Sequence, residues 1–258
     1  MDEQSPTPSM PPAPDMHPGT PKQTLAVPIA IIIAGAFIAV ALYFSGAANH
    51  APTTAVQQAA QATQQAKSIP PVTASDHIMG NANAKLVIVE YTDLECPFCK
   101  QFHPTMEQVM STYGKDGTVA WVIRNFPLQQ LHPNAPQVAQ AAECVASLGG
   151  NDTYFKFLDA LFAKYPAGTF ADLTALPALA ASIGIKQADF SACVASDKFK
   201  DEIQKEYNDA IASGGNGTPY SVILTKDGTA VPVSGAQSFA TMKQVIETLK
   251  TGGTPVTQ

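Results

Sequence analysis

Apolar positions fall into three regimes along the chain. Leu25 to Phe44 is an unbroken apolar run of 20 uncharged positions. As a helix rising about 1.5 Å per residue it would reach roughly 30 Å, the thickness of a bilayer's hydrocarbon core. Pro28 lies in its first turn, where a missing N–H costs little because those donors are unpaired anyway. Residues 1–24 before it are polar and Pro-rich, and 45–71 after it are rich in Ala, Gln and Thr. Beyond about Pro71 the apolar residues become periodic, leaving roughly 185 residues, enough for one domain with its own core.

Within that stretch, Ala84 to Tyr91 is a β-branched run that predicts a buried strand. From Pro97 to Tyr113 the period changes to that of a helix. Phe102, Met106, Val109, Met110 and Tyr113 share a face, Gly114 stands at the stop, and Pro104 should kink the helix. Thr118 to Asn125 predicts the next strand, completing a βαβ unit with a parallel pair. Helical spacing then dominates 134–213: Val138, Ala141, Ala142 and Val145, then Tyr154 to Phe162, Leu173 to Ile183 and Phe199 to Ile211. Strands at Tyr220–Thr225 and Ala230–Val233 flank a turn at 226–229, and a helix over Ser238–Lys250 closes the order. The pattern βαβ, helices, ββα predicts an α/β thioredoxin fold carrying a helical insertion.

The flanks complete the organisation. Residues 1–24 cannot bury enough apolar surface to offset the entropy of ordering and are expected to be disordered. The apolar run 25–44 is expected to be a transmembrane anchor. A cleaved signal is the alternative, but its apolar region is shorter and follows a short basic start. Lys22 before the run and no Lys or Arg after it until Lys67 place residues 1–24 in the cytoplasm and the large domain outside. Residues 45–71 are read as a linker, 72–252 as the domain and 253–258 as a tail. Net charge is −6 with no dense basic run, which removes nucleic acid as a partner.

Four cysteines are too few for a disulfide scaffold, so their positions matter more than their number. Cys96-Pro97-Phe98-Cys99 sits at a strand-to-helix junction. Pro97 suits the first helical position and makes Cys96 the N-cap. Unpaired N–H groups and the helix dipole there favour an anion, so the Cys96 pKa should fall below the ordinary thiol's. Cys99, three residues on, points back to the same place and can close or resolve a disulfide. Stabilising the thiolate stabilises the reduced form and makes the disulfide more oxidising. Phe98 adds neither charge nor donor to that effect. Half a zinc site or two inert packing cysteines are the other readings of Cys-x-x-Cys. Zinc needs a further Cys or His pair at close spacing, and Cys144 and Cys193 are isolated from each other.

Val89-Glu90-Tyr91, Cys96-Pro97-Phe98-Cys99-Lys100-Gln101-Phe102, Arg124-Asn125-Phe126-Pro127-Leu128, His132-Pro133, Ala141-Ala142-Glu143-Cys144 and Gly217-Thr218-Pro219 follow one another in an order that resembles DsbA-like proteins, including the membrane-tethered DsbA/BdbD-type group of bacteria. The resemblance covers roughly 72–250. It implies that Cys96 is the exposed nucleophile and Cys99 its buried partner. It implies that Thr218-Pro219 is the facing loop, with Pro219 in cis and the Thr218 backbone free to pair with a substrate strand. Glu90, six residues before Cys96, aligns with a buried acid that relays a proton to or from Cys99. Glu95 would oppose a thiolate beside it and is expected to face solvent. His103 either packs or tunes the thiolates, and His132 is expected to be structural. In an oxidising compartment Cys144 and Cys193 are expected to form a structural disulfide; two free buried thiols and a second redox pair are the alternatives.

The resemblance therefore implies a thiol–disulfide oxidoreductase without a cofactor or metal. It would be held at the bacterial cytoplasmic membrane by one span, with its domain on the extracytoplasmic side. It would donate the Cys96–Cys99 disulfide to reduced extracytoplasmic proteins and be re-oxidised by a membrane quinone-linked partner, DsbB-like or VKOR-like. The same site running as a reductase or isomerase is the nearest rival, and a non-catalytic copper-binding thiol protein is the rival from another class.

Overall fold

In a computed structural model of the chain, residues 69–255 are described, together with Gln64 and Ala66. The expected disordered leader, the anchor at Leu25–Phe44, most of the linker and the last three residues lie outside them. No helix among the described residues is long and apolar enough to cross a membrane.

Among the described residues, five strands form one sheet in the order β1-β3-β2-β4-β5. They are β1 (His77–Met79), β2 (Leu86–Thr92), β3 (Val119–Asn125), β4 (Tyr220–Thr225) and β5 (Ala230–Ser234). The helix α1 (Pro97–Tyr113) links β2 to β3, which pair in parallel with Leu86 opposite Val119 and Thr92 opposite Asn125. The other neighbours run antiparallel. Between β3 and β4 lie α2 (Ala135–Gly149), α3 (Asn151–Lys164), a 3-10 turn at Leu173–Ala175, α4 (Leu176–Ser182), α5 (Gln187–Ala195) and α6 (Lys200–Ala212). The closing helix is α7 (Phe239–Lys250). This is the expected α/β thioredoxin fold with its helical insertion.

The central strand β2 is covered on both faces, which is why it reads as a continuous apolar run and not as an alternation. Leu86 and Ile88 join the large core with Phe102, Met106 and Trp121, and with residues of α7 and the helical insertion. Val89 and Tyr91 point the other way, to Val122, Phe126, Ala210 and Tyr220. Because side chains alternate along a strand, Glu90 and Thr92 follow Leu86 and Ile88 onto the face that α1 covers. The fold thus delivers a carboxyl group beneath the start of α1.

Two elements had no strong periodic signal. β1 is three residues long and only half-buried, and its order comes from antiparallel pairing with β3. α5 buries only Phe190 and Cys193. Cys193 is joined by a disulfide to Cys144 of α2, with the Cα atoms 5.8 Å apart. α1 runs without a break through Pro104. Its stop at Gly114 is not a left-handed cap, since φ is −77°. Glycine is needed there for space: a Cβ would lie 2.6 Å from the Met110 Cε and 2.7 Å from the Met110 carbonyl oxygen.

The entry to the domain is fixed by one buried cation. Arg124 of β3 donates from Nε to Asp76 Oδ1 at 2.7 Å, and from its terminal nitrogens to the Pro70 and Pro71 carbonyls at 3.1 and 3.2 Å. Their side chains are 5% and 7% exposed for Arg124 and Asp76, so removing one partner strands a buried charge. Asp76→Ala should lower the unfolding free energy by about 3 kcal/mol. Urea unfolding measures it, and a change within experimental error would show the pair to be dispensable.

Candidate active site

A tight turn carries the chain from β2 into α1, and Asp93 builds it. Its Oδ1 accepts from the Glu95 N–H at 2.8 Å, and its carbonyl accepts from the Cys96 N–H at 3.0 Å. Its Oδ2 accepts from the Leu128 N–H at 2.8 Å and lies 2.8 Å from His132 Nδ1. A single buried carboxylate therefore locks the turn to the loop that follows β3. Sequence reasoning missed Asp93; its signal was a short acid directly after a buried strand, the residue type that bonds to amides two residues on. His132 has the structural placement expected of it, as Asp93's partner.

Cys96 is the N-cap of α1 with extended backbone angles, and Pro97 follows at the first helical position. Cys96 and Cys99 are both free thiols. Their environments drive their acidities apart. The Cys96 thiol is pulled well below its ordinary pKa, chiefly by a hydrogen bond from Cys99, against the opposing effect of burial. The Thr218 side chain and the backbone amides of Cys99 and Phe98 add to the lowering, although the sulfur does not reach regular capping geometry. The Cys99 thiol is pushed well above its ordinary value, first by burial, then by the hydrogen bond its S–H makes to Cys96 and by the negative charge Cys96 carries. Cys96 was expected to be exposed, yet only 4% of its surface is open, against 1% for Cys99. The difference in access is one of degree, because Thr218 closes over the sulfur.

The Thr218–Pro219 peptide bond is cis and directly precedes β4. The Thr218 carbonyl accepts from the Cys96 S–H at 3.5 Å. The Thr218 hydroxyl oxygen is buried without a regular hydrogen-bond partner. Pro97 and Phe98 sit between the cysteines, and the Phe98 ring is 57% exposed.

Glu90 lies beneath Cys99. It is 2% exposed, and its Oε2 accepts from Trp121 Nε1 at 2.9 Å. Burial raises its pKa to about 7, moderated by His103, Thr92 and Trp121. Glu90's charge in turn raises Cys99, whereas a hydrogen bond from the Thr92 hydroxyl lowers it. Thr92 thus faces both acids. His103 is buried, tilted against Trp121 with ring centres 5.3 Å apart, and its Nε2 is 2.7 Å from Asp159 Oδ1. It acts on Glu90, not directly on Cys96, so packing and tuning coincide in one ring.

Glu95 does not face solvent. It is 2% exposed because the loop between α3 and the 3-10 turn folds over it, and its Oε1 accepts from the Ala171 N–H at 2.8 Å. Its Oε2 is buried without a partner, and burial raises its pKa. Farther away, Glu206 Oε2 accepts from the Asn125 N–H at 2.7 Å, and burial raises its pKa to about 7. Glu143 receives Asn125 Nδ2 at 2.6 Å and lies 2.8 Å from His77 Nε2. Among the described residues, His103, Glu107 and Asp159 have ligand atoms close enough to share a cation, within 4.8 Å. Two are exposed carboxylates and the imidazole is already paired with one of them, so no metal is assigned.

Comparison with known proteins agrees with this geometry. The family model described as Thioredoxin matches residues 72–248. The Wolbachia pipientis α-DsbA1 crystal structure is 25% identical, with a TM-score of 0.62, covering 73% of this chain and 96% of that one. Pseudomonas aeruginosa DsbA2 is 26% identical with a TM-score of 0.57, covering 69% and 97%. Oxidised BdbD from Bacillus subtilis, at 22% identity and TM-score 0.57, covering 70% and 94%, shares the fold. Among curated sequences, an Na(+)/H(+) antiporter NhaA 1 of Mycolicibacterium gilvum is 33% identical over 144 residues, which is 56% of this chain and 22% of the antiporter. The match spans about a fifth of that relative's length.

The raised Glu90 pKa has a consequence for stability. In oxidised protein the cysteines do not titrate. The folded state keeps a proton on Glu90 up to about pH 7, whereas the unfolded chain releases it near 4.5. The folded state then binds more protons in that window, so stability is greatest on its acid side and falls as pH rises through it. Glu206 contributes in the same sense. Glu90→Gln should remove its share, a loss of about 3 kcal/mol between pH 5 and 8. Urea unfolding at the two pH values checks this, and an unchanged difference would count against a protonated Glu90.

Proposed function

Since this chain belongs to the thioredoxin family and is DsbA-like, we propose that it is a protein thiol–disulfide oxidoreductase that runs as an oxidase. The observation that carries the reading is the opposite shift of two thiols one helical turn apart, with Cys96 acidic and Cys99 holding its proton. In the oxidised enzyme a substrate thiolate attacks the Cys96 sulfur. The Cys96–Cys99 bond breaks, a mixed disulfide forms, and Cys99 departs and takes a proton from Glu90. A second substrate thiolate attacks the substrate sulfur of the mixed disulfide and releases Cys96 as a thiolate. The substrate gains a disulfide, and the enzyme gains the two electrons as a dithiol.

Glu90 suits that exchange. With a pKa of about 7 it carries a proton part of the time at neutral pH, as a general acid and base should. Thr218, whose carbonyl accepts from the reduced Cys96 S–H, is free to pair with an extended substrate strand once that thiol is gone. Phe98, Leu131 and Phe170 are exposed by 57%, 68% and 54%, and apolar surface of this kind suits unfolded protein substrates. The Cys144–Cys193 disulfide fits an extracytoplasmic setting, where thiols oxidise. The span at Leu25–Phe44 would tether the domain on that side, near a quinone-linked protein of the DsbB or VKOR kind that withdraws the electrons.

One observation favours the reverse direction. The Phe98 side chain gives the thiolate no charge and no donor beyond the backbone amide, which limits the oxidising strength. A reductase or isomerase would use the same steps backwards. A reduction potential near thioredoxin's, about −270 mV, would decide for it.

The protein should oxidise a reduced, unfolded model substrate, and Cys96→Ser should lose at least about a hundredfold of that rate. Free thiols counted during refolding give the measurement. Equal rates for the two proteins would remove the proposal.

A further inference from the structure

A buried ammonium and a buried carboxyl group flank the nucleophile, and one loop of the helical insertion holds both. Lys100 stands one turn after Cys96 on α1, with its N–H donating to the Cys96 carbonyl at 3.1 Å. It is only 6% exposed, unusual for a lysine. Its Nζ donates to the Thr169 carbonyl at 2.7 Å. Two residues along the same loop, the Ala171 N–H donates to Glu95 Oε1 at 2.8 Å. Glu95 precedes Cys96 directly, and its other carboxyl oxygen is buried with no partner. One loop therefore holds, two residues apart, the side chains of a cation and an acid that bracket Cys96 in the chain.

We propose that Lys100 is a positioning residue that sets how strongly the Cys96–Cys99 disulfide oxidises, by holding a buried positive charge beside the Cys96 thiolate while Glu95 opposes it. The proposal rests on the thiol-exchange reading above and adds what regulates it. Burial tends to discharge Lys100, and the charges that keep it protonated are Glu95, Asp93, Cys96 and Cys99. The same attraction acts on the sulfur in return. A cation at partly desolvated range favours the thiolate, and a favoured thiolate means a favoured dithiol enzyme. Glu95, the acid nearest in the chain, works in the other direction whenever it is ionised. The remaining charged groups around the turn are accounted for. Asp93 is bonded to amides and to His132, and Glu90 with His103 lies beneath Cys99. The Thr169–Ala171 loop brings no charge of its own, only a carbonyl and an amide. This arrangement supplies the cationic influence that Phe98 does not.

The test is the equilibrium of the full chain with glutathione, together with the pH dependence of Cys96 alkylation located by mass spectrometry. The reaction balances as enzyme dithiol plus glutathione disulfide giving enzyme disulfide plus two glutathione thiols. Lys100→Met keeps the apolar stem and removes the charge. It should raise the apparent Cys96 pKa by about one unit and shift the equilibrium about tenfold toward the enzyme disulfide, equivalent to about −30 mV. Glu95→Gln should move both quantities the opposite way, and the double variant should return near the starting values. A merely structural role would change melting temperature and leave the alkylation profile in place. Unchanged pKa and equilibrium in Lys100→Met would overturn the proposal. Should that variant fail to fold, Lys100→Arg must keep both values and Glu95→Gln must shift both; either failure would overturn it equally. If the unaltered chain itself does not exchange with glutathione, the exchange reading falls; normal exchange indifferent to these charges refutes this inference alone.

Discussion

Everything at the site depends on keeping one negative charge on a sulfur that is nearly out of water. A thiolate with 4% exposure would be expelled as a proton-bearing thiol unless dipoles replaced the solvent. The start of α1 provides them. Pro97 has no N–H to give, so the next amides, Phe98 and Cys99, serve the sulfur, and the Cys99 side chain adds its own donor. The burial that makes this costly also gives it value, since a fixed dipole acts more strongly where water does not screen it. The turn around Asp93 and the sheet beneath are the scaffold that aims α1 at one point.

The fold was largely written in periodicity. β2, α1, β3, β4, β5 and α7 each carry a clear period of two, a continuous apolar run or a helical stripe, and their order alone implies the sheet. The helical insertion was legible as a region, with α5 as the exception. Its nine residues bury two side chains, and the disulfide to α2 fastens it where apolar contact is sparse. β1 escaped for a related reason: a three-residue edge strand has no period, and it is ordered by pairing and by Arg124. Gly114 ended α1 as expected but through steric contact with Met110, not through backbone freedom.

At the site, residues with local chemistry were legible and residues whose role needs a distant partner were not. The helix start and the Cys-x-x-Cys spacing are local, so Cys96, Cys99 and Pro97 stand out in the bare sequence. Glu90 and the Thr218–Pro219 pair came through resemblance. Asp93, Lys100 and Glu95 depend on loops 35 to 76 residues away. In sequence they are ordinary polar residues at a turn, and the default expectation of solvent exposure failed for Glu95. Only the folded chain reveals that the insertion's loop covers them.

The asymmetry between the two thiols also bears on how a mixed disulfide resolves. Once substrate is bound to Cys96, two nucleophiles compete for the linkage: Cys99, which returns the substrate unchanged, and the substrate's own second thiol, which completes its disulfide. Cys99 is buried, and burial together with the Glu90 charge keeps its pKa raised even when Cys96 is tied up in the mixed disulfide and carries no charge, so little of it is thiolate at neutral pH. Its attack waits on Glu90, whose carboxylate must first take the proton, and at a pKa of about 7 only about half of Glu90 is in that form at neutral pH. Cys96, by contrast, is a good leaving group because its thiolate is stabilised. A slow internal rescuer and a willing leaving group bias the intermediate forward to product. On the oxidase reading the carboxyl group beneath Cys99 therefore has two tasks: protonated, it supplies the proton that lets Cys99 depart, and ionised, its charge raises the Cys99 pKa and slows the return of that thiol.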